Sequence, residues 1–235
     1  MVALIDFDLV LYRTACSTNE LGIAISRVND LLDHILQRTG SLTYKAWVSS
    51  PTNFRKTIYP EYKGNRTQER PALLDPLREY AIENLGVNVS KEGLETDDEL
   101  CINQTEDTII CSLDKDLLQC EGRHFQWSIE GGPPDKRWVK QECFYNQTEL
   151  EGNRLLYEQI LKGDVNDNVK GCAGIGTKKA QKLIEPCTTE KEMIKVCLKQ
   201  YNTEEEFLMN AQCIYLLRSY EDSYLSRYER VLNEL

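Results

Sequence analysis

The chain has 235 residues, 41% of them apolar and 28% charged, with a formal net charge of −10. That length can bury a core as one large domain or as a domain with a smaller appendage, and the composition is that of an ordinary soluble protein. No apolar run approaches the length of a membrane span, so no membrane association is expected. The N-terminus, Met1-Val2-Ala3-Leu4-Ile5-Asp6-Phe7-Asp8, places acids where a signal peptide would be hydrophobic, which points to the cytoplasm, the host's if the chain is of phage origin.

Nine cysteines without a Cys-x-x-Cys pair, and histidines only at His34 and His124, suggest neither a disulfide framework nor a zinc site; the cysteines read as buried thiols. Scarce histidine also argues against a Ser-His-Asp or Cys-His mechanism. The acidic balance is unusual for a nucleic-acid binder. Eight of the acids, however, fall in short motifs, and without them the chain is close to neutral.

Val2 to Ile5 is an apolar run that predicts a buried strand delivering Asp6 at its C-terminal end, with Asp8 on the turn into a helix. In an open parallel sheet ligands gather at such strand ends, and Arg13, one or two helical turns on, is placed to meet phosphate there. Glu20 to Arg38 repeats apolar residues at three- and four-residue intervals and predicts a core helix ended by Gly40; Leu42 to Val48 predicts a second strand. Phe54 to Arg70 is the one basic and aromatic passage, with Arg55, Lys56, Lys63, Arg66 and Arg70 interleaved with Phe54, Tyr59 and Tyr62. Cations beside stacking faces are what single-stranded or frayed nucleic acid requires, although a solvated basic loop has the same composition.

Pro71 to Leu85 predicts a helix, and Glu95-Thr96-Asp97-Asp98 crowds three carboxylates at the start of the next one. Such acids raise one another's pKa unless a cation compensates. Asp107 to Leu113 predicts a third strand ending in Asp114-Lys115-Asp116, a weak signal alone because turns are rich in aspartate. Gly122 to Tyr145 alternates aromatics and polars around Gly131-Gly132-Pro133-Pro134, which predicts a hairpin. In Leu161 to Ile184, Asp164 and Asp167 would share a face on a helical turn and could hold one cation. Gly171, Gly174 and Gly176 then permit a tight hairpin, and Thr177, Lys178 and Lys179 open a helix whose free N–H groups suit phosphate. The glycine spacing matches a P-loop, but Thr177 stands where that loop needs lysine and no apolar strand precedes it; a plain turn with solvated acids is the other reading. After Pro186 the chain reads as helical to its end.

The four acid clusters, Asp6, Glu95-Asp97-Asp98, Asp114-Asp116 and Asp164-Asp167, would converge if the strands form one parallel sheet. Oxygen ligands without His or Cys favour Mg²⁺ or Mn²⁺ over zinc. Two such ions about 4 Å apart could activate a water and stabilise the leaving oxygen in phosphodiester hydrolysis.

Ile5-Asp6, Glu61-Tyr62-Lys63-Gly64-Asn65-Arg66, Glu95-Thr96-Asp97-Asp98, Ser112-Leu113-Asp114-Lys115-Asp116-Leu117 and Gly163-Asp164-x-x-Asp167-Asn168 through Gly174-Ile175-Gly176 resemble, in this order, the 5′-nuclease (flap endonuclease) family, most closely its bacteriophage 5′→3′ exonucleases. The resemblance covers roughly residues 2 to 185. It implies an α/β fold: a PIN-like domain with a central, mostly parallel sheet flanked by helices over residues 1–160, including a shortened arch near 54–90. Residues 161–235 would hold a helix–three-turn–helix element and C-terminal helices, the whole packed as one compact unit.

By the same resemblance Asp6, Glu95, Asp97 and Asp114 look like ligands of a first Mg²⁺ or Mn²⁺, with Asp98 beside them, and Asp116, Asp164 and Asp167 like the cluster of a second. Lys63 and Arg66 match the basic pair that polarises or steers the scissile phosphate. Arg13, Arg55, Lys56, Tyr62, Gly174, Gly176, Thr177, Lys178 and Lys179 are candidate DNA contacts, and the hairpin backbone at Gly174 to Gly176 is a candidate K⁺ site. The expected partner is DNA with a 5′ end, nick, gap or flap, together with RNA:DNA hybrid, acted on by a monomer. Val48-Ser49-Ser50 stands where many members carry another aspartate, so one first-metal ligand is absent or replaced by water. The segment between Arg66 and Glu95 is short for a full arch, which favours exonuclease action over flap cutting. A DNA-structure-binding module that lost the chemistry and a PIN-type ribonuclease acting on single-stranded RNA are the competing readings.

Overall fold

The computed structural model describes residues 1–133 and 135–233. In chain order its elements are β1 (Val2–Asp6), α1 (Phe7–Ala15), α2 (Leu21–Thr39), β2 (Thr43–Val48), α3 (Arg55–Ile58), α4 (Leu74–Leu85), β3 (Asn88–Val89), α5 (Thr96–Ile102) and β4 (Thr108–Cys111). Then come β5 (Gly122–Gln126), β6 (Ile129–Gly131), β7 (Trp138–Lys140), β8 (Cys143–Gln147), α6 (Glu149–Lys162), β9 (Gly163–Asp164) and β10 (Val169–Lys170). Helices α7 (Thr177–Ile184), α8 (Glu190–Leu198), α9 (Glu204–Ile214) and α10 (Tyr224–Asn233) complete the chain. Two compact units result: Met1–Pro51, Glu69–Leu117 and Gly122–Gln147 form the first, and Thr52–Gln68, Leu118–Glu121 and Thr148–Leu235 the second. Each is therefore assembled from separate stretches, where the sequence suggests a single boundary near residue 160.

The first unit is built on a six-stranded sheet in the order β3-β2-β1-β4-β5-β8. All neighbours pair in parallel except β8, which runs antiparallel to β5. The central strand β1 is covered on both faces, so its apolar residues follow one another without alternation, and Ala3, Leu4 and Ile5 are all fully buried. The two-residue period still separates them. Ala3, Ile5, Ala46, Val48, Ile109 and Cys111 belong to one core, to which α1, α2 and α4 contribute Val10, Leu11, Val28, Ile35 and Leu77. Leu4, Trp47 and Ile110, the intervening residues, are buried outside that core. Helix α2 ends at Gly40, whose φ of +64° forms the left-handed cap expected of glycine there. Helix α4 begins later than the sequence suggests, because Pro71 stays in the preceding turn and its carbonyl accepts from the Leu74 N–H. Strands β6 and β7 pair as the expected hairpin, of which Pro134 lies outside the described residues.

In the second unit α6 is the central helix. Thr148 caps it, Glu151 closes the capping box, and its buried face (Leu156, Tyr157, Ile160, Leu161) lies against α7, α8 and α9. Arg227 of α10 is buried and satisfied, its Nε 2.6 Å from Glu190 Oε1 and its Nη2 2.7 Å from Asn153 Oδ1. Gly163 and Gly171 bring their backbones so close that a Cβ on either would overlap the other.

The cysteines differ from expectation. Cys111, Cys187, Cys197 and Cys213 are buried free thiols, but Cys16 is exposed. No helix among the described residues is long and apolar enough to cross a membrane.

Candidate functional site

Strands β1 and β4 are parallel neighbours, so their C-terminal ends bring Asp6 and Asp114 into one neighbourhood. Ser112, just past β4, links them: its Oγ donates to Asp6 Oδ2 at 2.7 Å and accepts from Asp114 N at 2.9 Å. Asp114 Oδ1 in turn accepts from Asp116 N at 2.8 Å. The other oxygen of Asp6 caps α1, accepting from Leu9 N at 3.2 Å. Asp6 is only 3% exposed. Burial first, and then the charges of Asp8 and Asp114, push its pKa up to about 7 against the lowering effect of the Ser112 and Leu9 hydrogen bonds.

A dry carboxylate among like charges is a place where a cation is favourable, and an all-oxygen donor set suits a hard divalent ion. Among the described residues, however, no three of His, Cys, Asp and Glu are grouped so as to hold a metal ion. Asp98 is fully buried and accepts from Glu95 N at 3.2 Å, so its carboxylate serves the start of α5. Glu95 and Asp97 stand on either side of Thr96 at that helix start and are half-buried.

Asp8, which the sequence placed only on a turn, is tied into the same region. Its Oδ2 accepts from Ser49 N and from Thr96 Oγ1, both at 2.8 Å, and its Oδ1 lies 3.5 Å from Arg78 Nη1. Arg78 Nη2 donates to Ser49 O at 2.6 Å, and Ser49 Oγ accepts from Thr96 N at 3.1 Å. Sequence reasoning did not single out Asp8, Ser49, Arg78, Thr96 and Ser112, whose hydrogen bonds surround the acids. The available signals were the Asp-x-Asp spacing of Asp6 and Asp8 and a serine standing where an aspartate was expected.

In the second unit Asp164 ends β9 and Asp167 lies on the turn to β10, so the two are not on a helical face. Asp164 Oδ1 accepts from Asn166 N at 2.7 Å and organises that turn. Asp167 meets the basic passage: Arg66 Nη2 is 2.7 Å from Oδ1, Tyr62 OH 2.7 Å from Oδ2, and Lys63 Nζ 3.6 Å from Oδ2. The backbones are stitched as well, Lys63 N to Asp167 O at 2.9 Å and Asn168 Nδ2 to Glu61 O at 2.9 Å. Lys63 and Asn168 hold φ of +57° and +60°, a left-handed backbone that side chains rarely adopt and that clusters at functional sites.

Two expectations are corrected here. Tyr62 is 2% exposed with its hydroxyl on Asp167, so it offers no face for a base to stack on. Arg55 is 1% exposed and donates to Cys213 O and Tyr215 O at 3.0 and 2.7 Å, tying α3 to the end of α9 rather than reaching DNA. Lys56 is exposed, as is Arg13 in the first unit. Gly174, Gly176, Thr177, Lys178 and Lys179 are exposed too, and α7 follows Gly176 without a side-chain cap.

Residues 1–149 match the family described as 5′-3′ exonuclease, N-terminal resolvase-like domain. The chain belongs to that family. Its relatives include a 5′-3′ exonuclease of Bacillus subtilis, 27% identical over 216 residues, covering 82% of this chain and 72% of that protein. They also include the DNA polymerase I of Caldicellulosiruptor bescii, 28% identical over 82% of this chain but only 25% of the polymerase. The family fold is seen in the D15 protein of bacteriophage T5 crystallised with metal ions, which superposes with a TM-score of 0.60 at 16% identity over 92% of this chain and 90% of that one. The T5 D15 flap endonuclease in a pseudo-enzyme–product complex with DNA and metal ions superposes at 0.55, 15% identical over 99% and 98%. The PIN-like α/β architecture expected from the sequence is thereby shown, and the family is one of nucleases.

Proposed function

We propose that the chain is a metal-dependent 5′→3′ nuclease that hydrolyses phosphodiester bonds near the 5′ ends of duplex, nicked or gapped DNA in replication, with flap cutting secondary and primer RNA in hybrids as a further substrate. The observation that carries this reading is the pairing of Asp6 and Asp114 at adjacent strand ends, in a setting dry and negative enough to hold Asp6 near a pKa of 7. The metal-containing T5 structures and the exonuclease relatives support the same chemistry.

In this reading Asp6, Glu95, Asp97 and Asp114 hold a first divalent cation with Asp98 beside them, and Asp116, Asp164 and Asp167 serve a second. A bound Mg²⁺ or Mn²⁺ supplies Lewis acidity and a water of lowered pKa. Asp6 would hold the cation as a carboxylate, which Ser112 ties to the Asp114 backbone N–H. Lys63 and Arg66 exchange their pairing with Asp167 for the scissile phosphate, for which their charge is suited. Lys178 and Lys179, with the uncapped N–H groups of α7, grip duplex backbone away from the chemistry, where K⁺ at Gly174 to Gly176 would assist. Monomeric, cytoplasmic action is part of the proposal.

The test is a panel of 5′-labelled duplex, nicked, gapped, flap and RNA:DNA hybrid substrates, with single-stranded RNA as comparison, in Mg²⁺, Mn²⁺ or EDTA. Short 5′ products that vanish in EDTA are expected. One specific observation favours a second reading, a DNA-structure-binding module without turnover: no three acids stand ready to hold a metal among the described residues. Tight binding with no cleavage at any metal concentration would select it, and cleavage of single-stranded RNA alone would select a PIN-type ribonuclease.

A further inference from the structure

Resting on the reading of the first unit's acids as cation ligands, we propose that Asp8 is a positioning residue: with Arg78 it braces the first turn of α5 against the end of β2 and so sets where Glu95 and Asp97 present their carboxylates. Ser49 directly follows β2 and Thr96 begins α5, elements that are far apart in sequence and share no ladder hydrogen bonds. Thr96 N is one of the orphan donors of a helix start, and no intrahelical carbonyl can satisfy it. Ser49 Oγ does so, while Asp8 Oδ2 receives the Thr96 hydroxyl and the Ser49 N–H together. Arg78 then holds both Asp8 Oδ1 and Ser49 O.

The Thr96 hydroxyl and the Ser49 N–H are thus oriented by Asp8 directly, and the Thr96 N–H through Ser49. Both oxygens of Asp8 are committed to these donors, which suits a brace better than a ligand. Thr96 is 2% exposed, so its hydroxyl has no water to replace a lost acceptor. Glu95 and Asp97 are its immediate neighbours, and a shift of the first turn moves both. Residues that orient ligands from behind are worth about 10- to 100-fold in metal affinity.

The experiment measures Mn²⁺ binding to the metal-free full chain by electron paramagnetic resonance, beside the Mn²⁺ dependence of cleavage. Asp8→Ala and the isosteric Thr96→Val should weaken Mn²⁺ binding about tenfold or more. The Mn²⁺ needed for half-maximal cleavage should rise by the same factor, with the rate at saturating Mn²⁺ largely kept and the far-ultraviolet circular dichroism unchanged. Thr96→Ser keeps the hydroxyl and should bind as the parent does. Wild-type affinity in either folded loss variant overturns the proposal, and so does equal weakening by Thr96→Ser and Thr96→Val. If Asp8→Ala does not fold, Thr96→Val against Thr96→Ser decides it. A parent chain that binds no Mn²⁺ overturns both this inference and the proposed function, whereas parental binding unaffected by the variants overturns this inference alone.

Discussion

Asp6 holds its charge in unfavourable surroundings, and the sign of the consequence can be worked out. An aspartate in the unfolded chain titrates near 3.9, while folding raises Asp6 to about 7. Between those values the folded state keeps a proton that the unfolded state has released. This contribution to stability is fully present below about pH 4, is lost as pH rises through about 7, and amounts to a few kcal/mol at the order-of-magnitude level. Urea unfolding of the metal-free protein should therefore show a declining midpoint across that window, and Asp6→Asn should remove most of the decline. A midpoint with equal pH dependence in both proteins would contradict the account. The acids were legible in the sequence because a carboxylate directly after a buried apolar run lies at a strand end. Arg55 and Tyr62 were misread because a cation and an aromatic suit a nucleic acid and a protein interior equally. The residues that decide the matter lie 158 and 160 positions from Arg55 and 105 from Tyr62.

At the scale of elements, the turn carrying Asp164 and Asp167 is anchored by the approach of Gly163 to Gly171. Gly171→Ala must push backbone against backbone, which overpacking data put at about 1–3 kcal/mol or more. A lowered thermal midpoint with reduced Mn²⁺ binding is the expected result. Helix α7 is different, since its cations point outward. Lys178→Ala and Lys179→Ala should each weaken duplex DNA binding and reduce the slope of log K against log salt by about one, read by fluorescence anisotropy across a salt series, without altering Mn²⁺ affinity. Periodicity announced α2 and its glycine cap, and the glycine hairpin announced the start of α7. β9 and β10 did not show, since two-residue strands carry no period, and without them the spacing of Asp164 and Asp167 looked helical.

For the whole molecule, grip and chemistry should be separable. Asp114→Ala should lower turnover about a hundredfold or more, a loss comparable to removing one preorganised group from other active sites, while leaving DNA affinity within a few-fold. Gel-shift and cleavage assays on one nicked substrate compare the two directly, and parallel loss of both would contradict the division. The net charge of −10 makes the salt dependence informative, because binding must come from local cations rather than the average.

The division of the chain into interleaved stretches bears on how it emerges from the ribosome. Synthesis runs from the N-terminus, yet Thr52–Gln68 belongs with Thr148–Leu235, and Tyr62 and Arg66 find Asp167 only after 105 and 101 further residues. The passage that carries Lys63 and Arg66 is thus made early and completed late. A nascent chain halted at Gln147 would display those cations with none of the acids that later hold them, whereas β1 to β8 would already be in hand.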